Sequence, residues 1–379
     1  MHTNDIRRIR VTDVIVAAIT VTMLLMLLAP SLADSTDNAR RNACLNNAKR
    51  ICLGIHNHES ARLYFPGAST APITGKPGSA DDSDNPAGFS WLALTLPYME
   101  RAEVYNAMRD GSEKMTISPF ADSVRIGKGG AGAMVAAKQI EEFICPAFEG
   151  APTVTVQSSD YKIDATSGAS PAKTNYFASS GTHLFERDGG LFLDAKPETS
   201  LQGNGALPMF SEKILASGGW TKVRGTTHAG LSRDGTSNTI MFCEGREQAY
   251  AAWIDGQVAW TVAAWPMNPD LPEMLKDETR PDAPTTLGWT EDQLDANAIC
   301  IAKQPFGTDD KTKAEVYLPA DRWSGSKDRR FGRSGNHQGM VCHAFADAHC
   351  KMIDELIDQN VYLHLTTRGG GEVIPDSFK

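Results

Sequence analysis

An uncharged stretch of 20 residues, residues 14–33, dominates the start of this chain. A helix rises about 1.5 Å per residue, so a helix of this length measures about 30 Å, the thickness of a bilayer's hydrocarbon core. Arg7, Arg8 and Arg10 precede the stretch, and Asp34 follows it. Because basic residues favour the cytoplasmic side, we predict a single-pass segment with residues 1–13 inside and the remainder in the periplasm or at the cell surface.

Two kinds of segment fit this pattern, and they differ in what remains in the mature protein. A cleavable secretory signal ends in small residues, and Ser31, Leu32 and Ala33 would serve as its cleavage site. A retained anchor would instead continue as a helix beyond Pro30, which kinks a helix without necessarily ending it. We favour the retained anchor.

The residues after the apolar stretch have the period of an amphipathic helix. Small or apolar residues recur there at helical spacing: Ala43, Cys44, Ala48, Ile51, Cys52 and Ile55. The predicted organisation is therefore a cytoplasmic start (1–13), a transmembrane or signal segment (14–33), an amphipathic helix (34–62) and a globular head (63–379).

Composition describes a folded, loop-rich head and excludes one class of partner. The chain is 41% hydrophobic and contains 33 glycines and 20 prolines, and residues 67–88 and 266–284 have the composition of loop insertions. Its formal net charge is −9, and no cluster of Lys and Arg with interleaved aromatic residues occurs. Because phosphate binding needs a basic face, nucleic acid is not an expected partner.

Several motifs follow one another along the chain: residues 38–57, 64–67, 90–100, 143–146 and 234–240, and a His-x9-Asp tail from His337 to Asp347. In residues and in order, these motifs resemble a planctomycete family of prepilin-like proteins known for a domain called DUF1559. The resemblance implies an α+β, pilin-like fold in which a long N-terminal helix packs on an antiparallel β-sheet head with large loop insertions. The motif residues, for which it implies structural roles, are Cys44, Asn47, Cys145, Pro146, Asp234, Gly235, Ser237, Asn238, Glu244, His337 and Asp347.

The chain departs from the family pattern at the site where a prepilin peptidase would cut. Counting back without gaps places Arg8 where the family has Gly, Ile9 at the mature N-terminus and Asp13 in place of Glu. Arg8 is a poor substitute for Gly, so cleavage after it is not expected. The tail also has Ala348 where the family has Gly.

Strands are better supported than helices in the head. Residues 152–156, 190–193 and 239–242 have strand patterns, and residues 340–353 are predicted to form a hairpin with a two-residue turn at Asp347 and Ala348. Helices are expected at residues 90–109, 132–142 and 354–365.

The cysteines and histidines give no specific metal pattern. The seven cysteines include no Cys-x-x-Cys pair, so a zinc ribbon is disfavoured and most are expected to be buried or bridged. His337, His343, Asp347 and His349 lie near Cys342 and Cys350, but strand alternation separates them onto different faces. We expect His337 and Asp347 to be scaffold residues and assign no metal ligand and no cofactor.

Motifs of common enzyme classes are also missing from the sequence. It contains no Gly-x-Ser-x-Gly, His-Glu-x-x-His or phosphate-loop pattern, so no catalysis is expected. The sequence favours an envelope-anchored structural or adhesive protein whose partners are the membrane and either its own copies or other pilin-like subunits. A membrane-tethered solute- or glycan-binding protein of unknown ligand is the alternative, and a pocket lined by Trp91, Trp253, Trp260 and Trp323 would favour it.

Overall fold

A computed structural model gives the architecture of most of the head and of the N-terminal helix. It describes residues 11–70, 88–111, 119, 135–154, 170–181, 203–208, 225–247, 251–256, 258–261, 333, 335–337, 339–354, 357, 359–369, 374–375 and 378. Within the N-terminal helix, the side chains of residues 13 and 24–35 are outside this description. The expected strand at 190–193, the insertion at 266–284 and Trp323 lie outside the described residues.

Helix α1 (Val11–Arg62) is continuous over 52 residues and passes through Pro30. Its second half buries the predicted face, since Cys44, Ala48, Ile51, Cys52 and Ile55 are inaccessible to solvent. Leu53, which lies on another side of the helix, is 59% exposed. The amphipathic helix predicted for residues 34–62 is therefore present, and its apolar face packs on the head.

The helices of the head are short. The expected helix over residues 90–109 is divided into α2 (Trp91–Thr95), a 3₁₀ turn (Leu96–Tyr98) and α3 (Ala102–Gly111). Ser90 caps α2 by accepting a hydrogen bond from the backbone N–H of Ala93. Pro97 lies in the 3₁₀ turn, and Glu100 has a φ of 60°, so the regular helix cannot continue through this region.

The remaining short elements also differ from the predicted helices. A 3₁₀ turn covers Glu141–Phe143 and overlaps only the end of the predicted helix at 132–142, and α4 covers His228–Leu231. A third 3₁₀ turn covers Thr236–Asn238, and α5 (Gln359–His364) forms only part of the predicted C-terminal helix.

The described strands form one five-stranded sheet with the order β3-β1-β2-β4-β5. The strands are β1 (Tyr176–Ser179), β2 (Ile240–Glu244), β3 (Trp260–Thr261), β4 (Met340–Phe345) and β5 (Cys350–Asp354). All neighbouring pairs are antiparallel except β1 and β3, which are parallel. The α+β class is thus confirmed, with a mixed sheet in place of a purely antiparallel one.

The predicted hairpin at the C-terminal end of the sheet is present, but its turn differs. Cys342 pairs with Met352, and Ala344 pairs with Cys350. The backbone N–H of Phe345 donates to His349 O, which leaves a three-residue loop instead of the predicted two. Its third residue, Ala348, has a positive φ, at 70°. A loop of this kind places its third residue in the left-handed region, where Gly is favoured.

Strand β4 has apolar side chains on both faces because the sheet lies between two layers. Cys342 and Ala344 join the core that contains the second half of α1, whereas Val341 and Phe345 pack with Tyr362 of α5. Alternate residues of a strand point to opposite faces, so this single strand contributes to both layers.

Among the residues that the structure describes, no helix combines the length and apolarity needed to cross a membrane.

Candidate metal centre

Four side chains with metal-binding atoms meet between α1 and the sheet. Cys44 lies on α1, Cys145 follows the 3₁₀ turn at Glu141–Phe143, Glu244 ends β2, and His337 precedes β4. One ligand atom from each residue lies within 4.8 Å of all the others, and all four residues are buried. These residues form what we call the four-ligand cluster.

Helix α1 brings Cys44 to the cluster because Cys44 belongs to its buried face. The Tyr176 hydroxyl of β1 donates a hydrogen bond to Cys44 O at 3.0 Å and lies 3.2 Å from Cys44 Sγ. One helical turn further along, Asn47 Nδ2 donates to Ile144 O at 3.0 Å. These contacts fix α1 against both β1 and the segment that carries Cys145.

Asn175 holds the Cys145 segment and the end of β2 together. Its Oδ1 accepts from the backbone N–H of Cys145 at 3.1 Å, and its Nδ2 donates to Gly245 O at 3.0 Å. Because Gly245 follows Glu244, the single buried amide of Asn175 positions two of the four ligand residues. The Asn175 side chain therefore helps to hold Cys145 and Glu244 at fixed positions in the site.

Glu244 is oriented by the segment that carries His337. Its Oε1 accepts from the backbone N–H and the Nδ2 of Asn336, at 3.1 and 2.8 Å, and its Oε2 accepts weakly from the backbone N–H of Cys342 at 3.4 Å. Oε2 therefore keeps lone-pair capacity that could serve a cation.

The His337 ring has few partners other than the cluster. Its Nε2 lies 3.4 Å from Cys145 Sγ, and its Nδ1 is buried with no hydrogen-bond partner in the described part of the chain. Burial lowers the pKa of His337, because removal from water disfavours the charged imidazolium. The ring is therefore neutral at neutral pH, the form that ligates metals.

Both thiols of the cluster are protonated when no cation is nearby. The neighbouring Cys44 thiol, burial and the charge of Glu244 all raise the pKa of Cys145 far above its usual value. For Cys44, the hydrogen bond with Cys145 acts to lower the pKa, but a hydrogen bond with Cys342 and burial raise it well above the usual value overall. In this state the cysteines are weak nucleophiles.

A family comparison supports the resemblance seen in the sequence. The family model described as "Protein of unknown function (DUF1559)" matches residues 37–360. The chain belongs to the DUF1559 family. No curated protein and no solved structure gives a significant match.

Most of the DUF1559 motif residues belong to one of two groups in space. Cys44, Cys145, Glu244 and His337 meet in the four-ligand cluster, and Asn47 supports it from α1. Pro146, next to Cys145, is exposed. From the sequence, these residues were predicted only to have separate structural roles, and the site that four of them share was not predicted.

A second group of motif residues lies at a turn before β2. Gly235 has a φ of 89°, and Asn238 Nδ2 donates to Asp234 O at 3.2 Å. Ser237 is exposed there, and Asp234 Oδ2 accepts from Thr367 Oγ1 at 3.4 Å. These are contacts of turn chemistry, and they tie the turn to the C-terminal segment.

The histidines that the sequence placed near His337 belong to other environments. His343 Nε2 lies 2.7 Å from the Tyr362 hydroxyl, on the α5 side of the sheet. Asp347 Oδ1 accepts from the backbone N–H of His349 at 3.1 Å and lies 2.6 Å from its Nδ1 at the exposed hairpin loop. Arg8 and Ile9 lie outside the described residues, and Asp13 lies on α1 with its side chain outside the description.

Proposed function

We propose that this DUF1559 protein is an envelope-anchored, pilin-like protein with a structural or adhesive function. The observation that carries the proposal is the division of α1 into two halves with different surroundings. The second half is packed on the head along one face, and the first half exposes large apolar side chains. A chain with this division suits a head that is held at a surface by its own helix.

The exposed apolar side chains support a membrane as the partner of the first half. Val11, Val14, Ile15, Val16, Ile19, Val21 and Met23 are 52–76% exposed. At 100° per residue they cover most of the helix circumference, in contrast to the single buried face of the second half. Water would be a poor solvent for such a surface, whereas lipid or the apolar helices of other pilin-like subunits would cover it.

The packed second half disfavours assembly through the face at residues 43–55. An exposed apolar stripe there would have favoured association between copies, but the head of the same chain already covers it. Association with other subunits would therefore use the first half of α1 or the outer surface of the head.

The binding-protein alternative has less support from the described residues. Trp91, Trp253 and Trp260 are buried in the core, so they do not line an open aromatic pocket. Trp91 Nε1 donates to Ala259 O at 2.8 Å, and Trp253 Nε1 donates to Lys138 O at 3.0 Å. These tryptophans have structural roles in the head.

The test is membrane fractionation together with mass spectrometry of the mature protein. We expect the chain in the membrane fraction with residues 1–33 retained, and the head digested only when protease is added from outside. A mature N-terminus at Asp34 would identify a secreted head, and one at Ile9 would identify prepilin processing despite Arg8.

A matched pair of variants separates membrane insertion from folding of the head. Leu25→Arg/Leu28→Arg places two charges in the apolar stretch, each costing about 2.5–3.5 kcal/mol at the centre of a spanning helix. We expect this variant to leave the membrane fraction. The control, Leu53→Arg, adds a charge at an exposed position of the packed half and should remain with the membrane. Equal distribution of both variants would refute the anchor.

A further inference from the structure

We propose that Cys44, Cys145, Glu244 and His337 bind one divalent transition-metal ion, with zinc as the best fit, in a closed structural site. The site would join α1 to three parts of the head. It is independent of the anchoring proposal, because all four residues lie in the packed part of the chain.

The distances in the cluster suit a tetrahedral ion. Bonds of about 2.3 Å to sulfur and about 2.0–2.1 Å to nitrogen and oxygen place tetrahedral ligand atoms about 3.3–3.8 Å apart. Cys145 Sγ and His337 Nε2 are already 3.4 Å apart, and no pair in the cluster exceeds 4.8 Å. Side-chain movements of about 1 Å would therefore complete the coordination.

The types of ligand select the class of metal. Two thiolates and an imidazole favour zinc and related transition metals over calcium or magnesium, which take oxygen ligands. Four protein ligands with no solvent-exposed position fill a tetrahedral shell, which is the arrangement of structural zinc sites. Catalytic zinc sites keep one position open for water, and this cluster offers none.

The surroundings of the cluster already hold the ligands in place. Asn336 fixes one oxygen of Glu244, Asn175 fixes the Cys145 segment, and the Tyr176 hydroxyl lies 3.2 Å from Cys44 Sγ. Such outer contacts orient ligands and preserve metal affinity. The buried Nδ1 of His337, by contrast, has no hydrogen-bond partner in the described residues, so no scaffold contact commits this ring to another role.

When the ion is bound, the site has a small net charge, and charged side chains of α1 lie near it. When the ion binds, both thiol protons leave to solvent, and two thiolates with one carboxylate offset the two positive charges with one negative charge in excess. Arg40 and Arg41 of α1 lie near enough to act electrostatically on His337, together with Asp37, which pairs with Arg41 at 2.8 Å. The two arginines would offset both Asp37 and the excess charge of the occupied site.

Two other fates of the cysteines compete with metal binding. Cys44 and Cys145 are close enough that an oxidant could join them in a disulfide, with loss of two protons and two electrons. Alternatively, both could remain free thiols that fill space in the core. A disulfide would remove both thiolate ligands, and cysteines that remain free thiols would leave the site without a metal ion.

The experiment measures metal content in the full-length chain purified without chelator. We expect about one zinc per chain by elemental mass spectrometry, and, after exchange with cobalt, a thiolate-to-cobalt charge-transfer band with tetrahedral ligand-field bands. The cobalt spectrum needs no variant, so it stands even if altered chains fold poorly. Lack of zinc together with no cobalt spectrum after added Co²⁺ would overturn the proposal, as would a Cys44–Cys145 disulfide in the mature protein.

Variants assign the ligands. Cys145→Ser and His337→Gln should each lose the metal, whereas Cys243→Ser and Cys350→Ser, which change cysteines outside the cluster, should keep it. Chelator should lower the unfolding temperature of the unaltered chain and of the two control variants, and should leave that of folded Cys145→Ser unchanged. Full metal content in a Cys145→Ser/His337→Gln chain, or loss of metal in Cys350→Ser, would overturn the assignment.

Discussion

The Sγ atoms of Cys52 and Cys350 lie 3.8 Å apart, and they connect α1 with β5. Burial and the neighbouring Cys350 thiol raise the pKa of Cys52 well above its usual value, so little thiolate is present at neutral pH. We predict that a thiol oxidant such as diamide slowly joins this pair in a disulfide. Diamide takes up the two thiol hydrogens and is reduced to a hydrazine. Peptide mapping without reductant should find Cys52 linked to Cys350.

The Cys350→Ser variant is the control for this cross-link. Its Cys52 thiol should remain free after the same treatment and should react with an alkylating agent once the chain is unfolded. A fully alkylated Cys52 in the oxidised, unaltered chain would show that the two side chains do not meet in solution.

The buried face of α1 gives a stability prediction with a close positional control. Ile51→Asp would place an unpaired carboxylate in the core, and such burial costs enough to unfold a domain of ordinary stability. Leu53→Asp introduces the same charge two residues away at a position that is 59% exposed. We expect urea unfolding to show a large loss of stability for Ile51→Asp and little change for Leu53→Asp. Equal losses would mean that the packed face is assigned incorrectly.

The hairpin loop predicts a stabilising substitution. Ala348 has a φ of 70°, a conformation in which its Cβ is strained and in which Gly is comfortable. Ala348→Gly should raise the free energy of unfolding by up to about 1 kcal/mol. Ala344→Gly, in the buried part of β4, should lower it, because the strand loses a packed methyl group. Denaturant titration compares the two, and a destabilised Ala348→Gly chain would refute the strain.

His343 predicts a dependence of stability on pH. Burial lowers its pKa to about 3, a hydrogen bond with Val341 O acts in the opposite direction, and the charge of Arg333 lowers the pKa further. The Tyr362 hydroxyl lies 2.7 Å from its Nε2. In the unfolded chain the pKa is about 6.5, so the unfolded state binds the extra proton as pH falls below that value. As pH falls from 6.5 towards the folded pKa, the titration of His343 should therefore lower the free energy of unfolding by about 1.4 kcal/mol per pH unit.

Urea unfolding at several pH values between 4 and 7 measures this contribution. The His343→Gln chain keeps a polar side chain but lacks the titration, so its stability should fall less steeply over the same interval. Part of the slope that remains would come from His58, because burial lowers the pKa of His58 to about 4. Identical slopes for the two chains would show that His343 is not buried in its neutral form.

The local pattern of the sequence was sufficient to predict several elements of the fold. The spacing of Cys44, Ala48, Ile51 and Ile55 predicted which face of α1 is buried, because a helix repeats every 3.6 residues regardless of what covers it. The apolar runs around Asp347 predicted the β4–β5 hairpin. The number of residues in that loop was wrong by one, since the register depends on pairing across the two strands.

Features that depend on contacts with distant parts of the chain could not be predicted from the local sequence pattern. The predicted helix at residues 90–109 is divided, and β3 pairs in parallel with β1, which no local period encodes. His58 is buried between the rings of Tyr64 and Tyr98, which no local pattern indicates. Packing against other segments decided the pairing of β3 and the burial of His58.

What the sequence determined by itself is the local chemistry: an apolar stretch long enough for a bilayer, an amphipathic continuation, and a chain without common catalytic motifs. Only the tertiary structure brought Cys44, Cys145, Glu244 and His337 within 4.8 Å of one another. These residues come from four segments far apart in the chain, so no ligand spacing of the Cys-x-x-Cys kind exists to reveal them. Helix packing and strand pairing place them together, and both depend on contacts that short-range periodicity cannot specify.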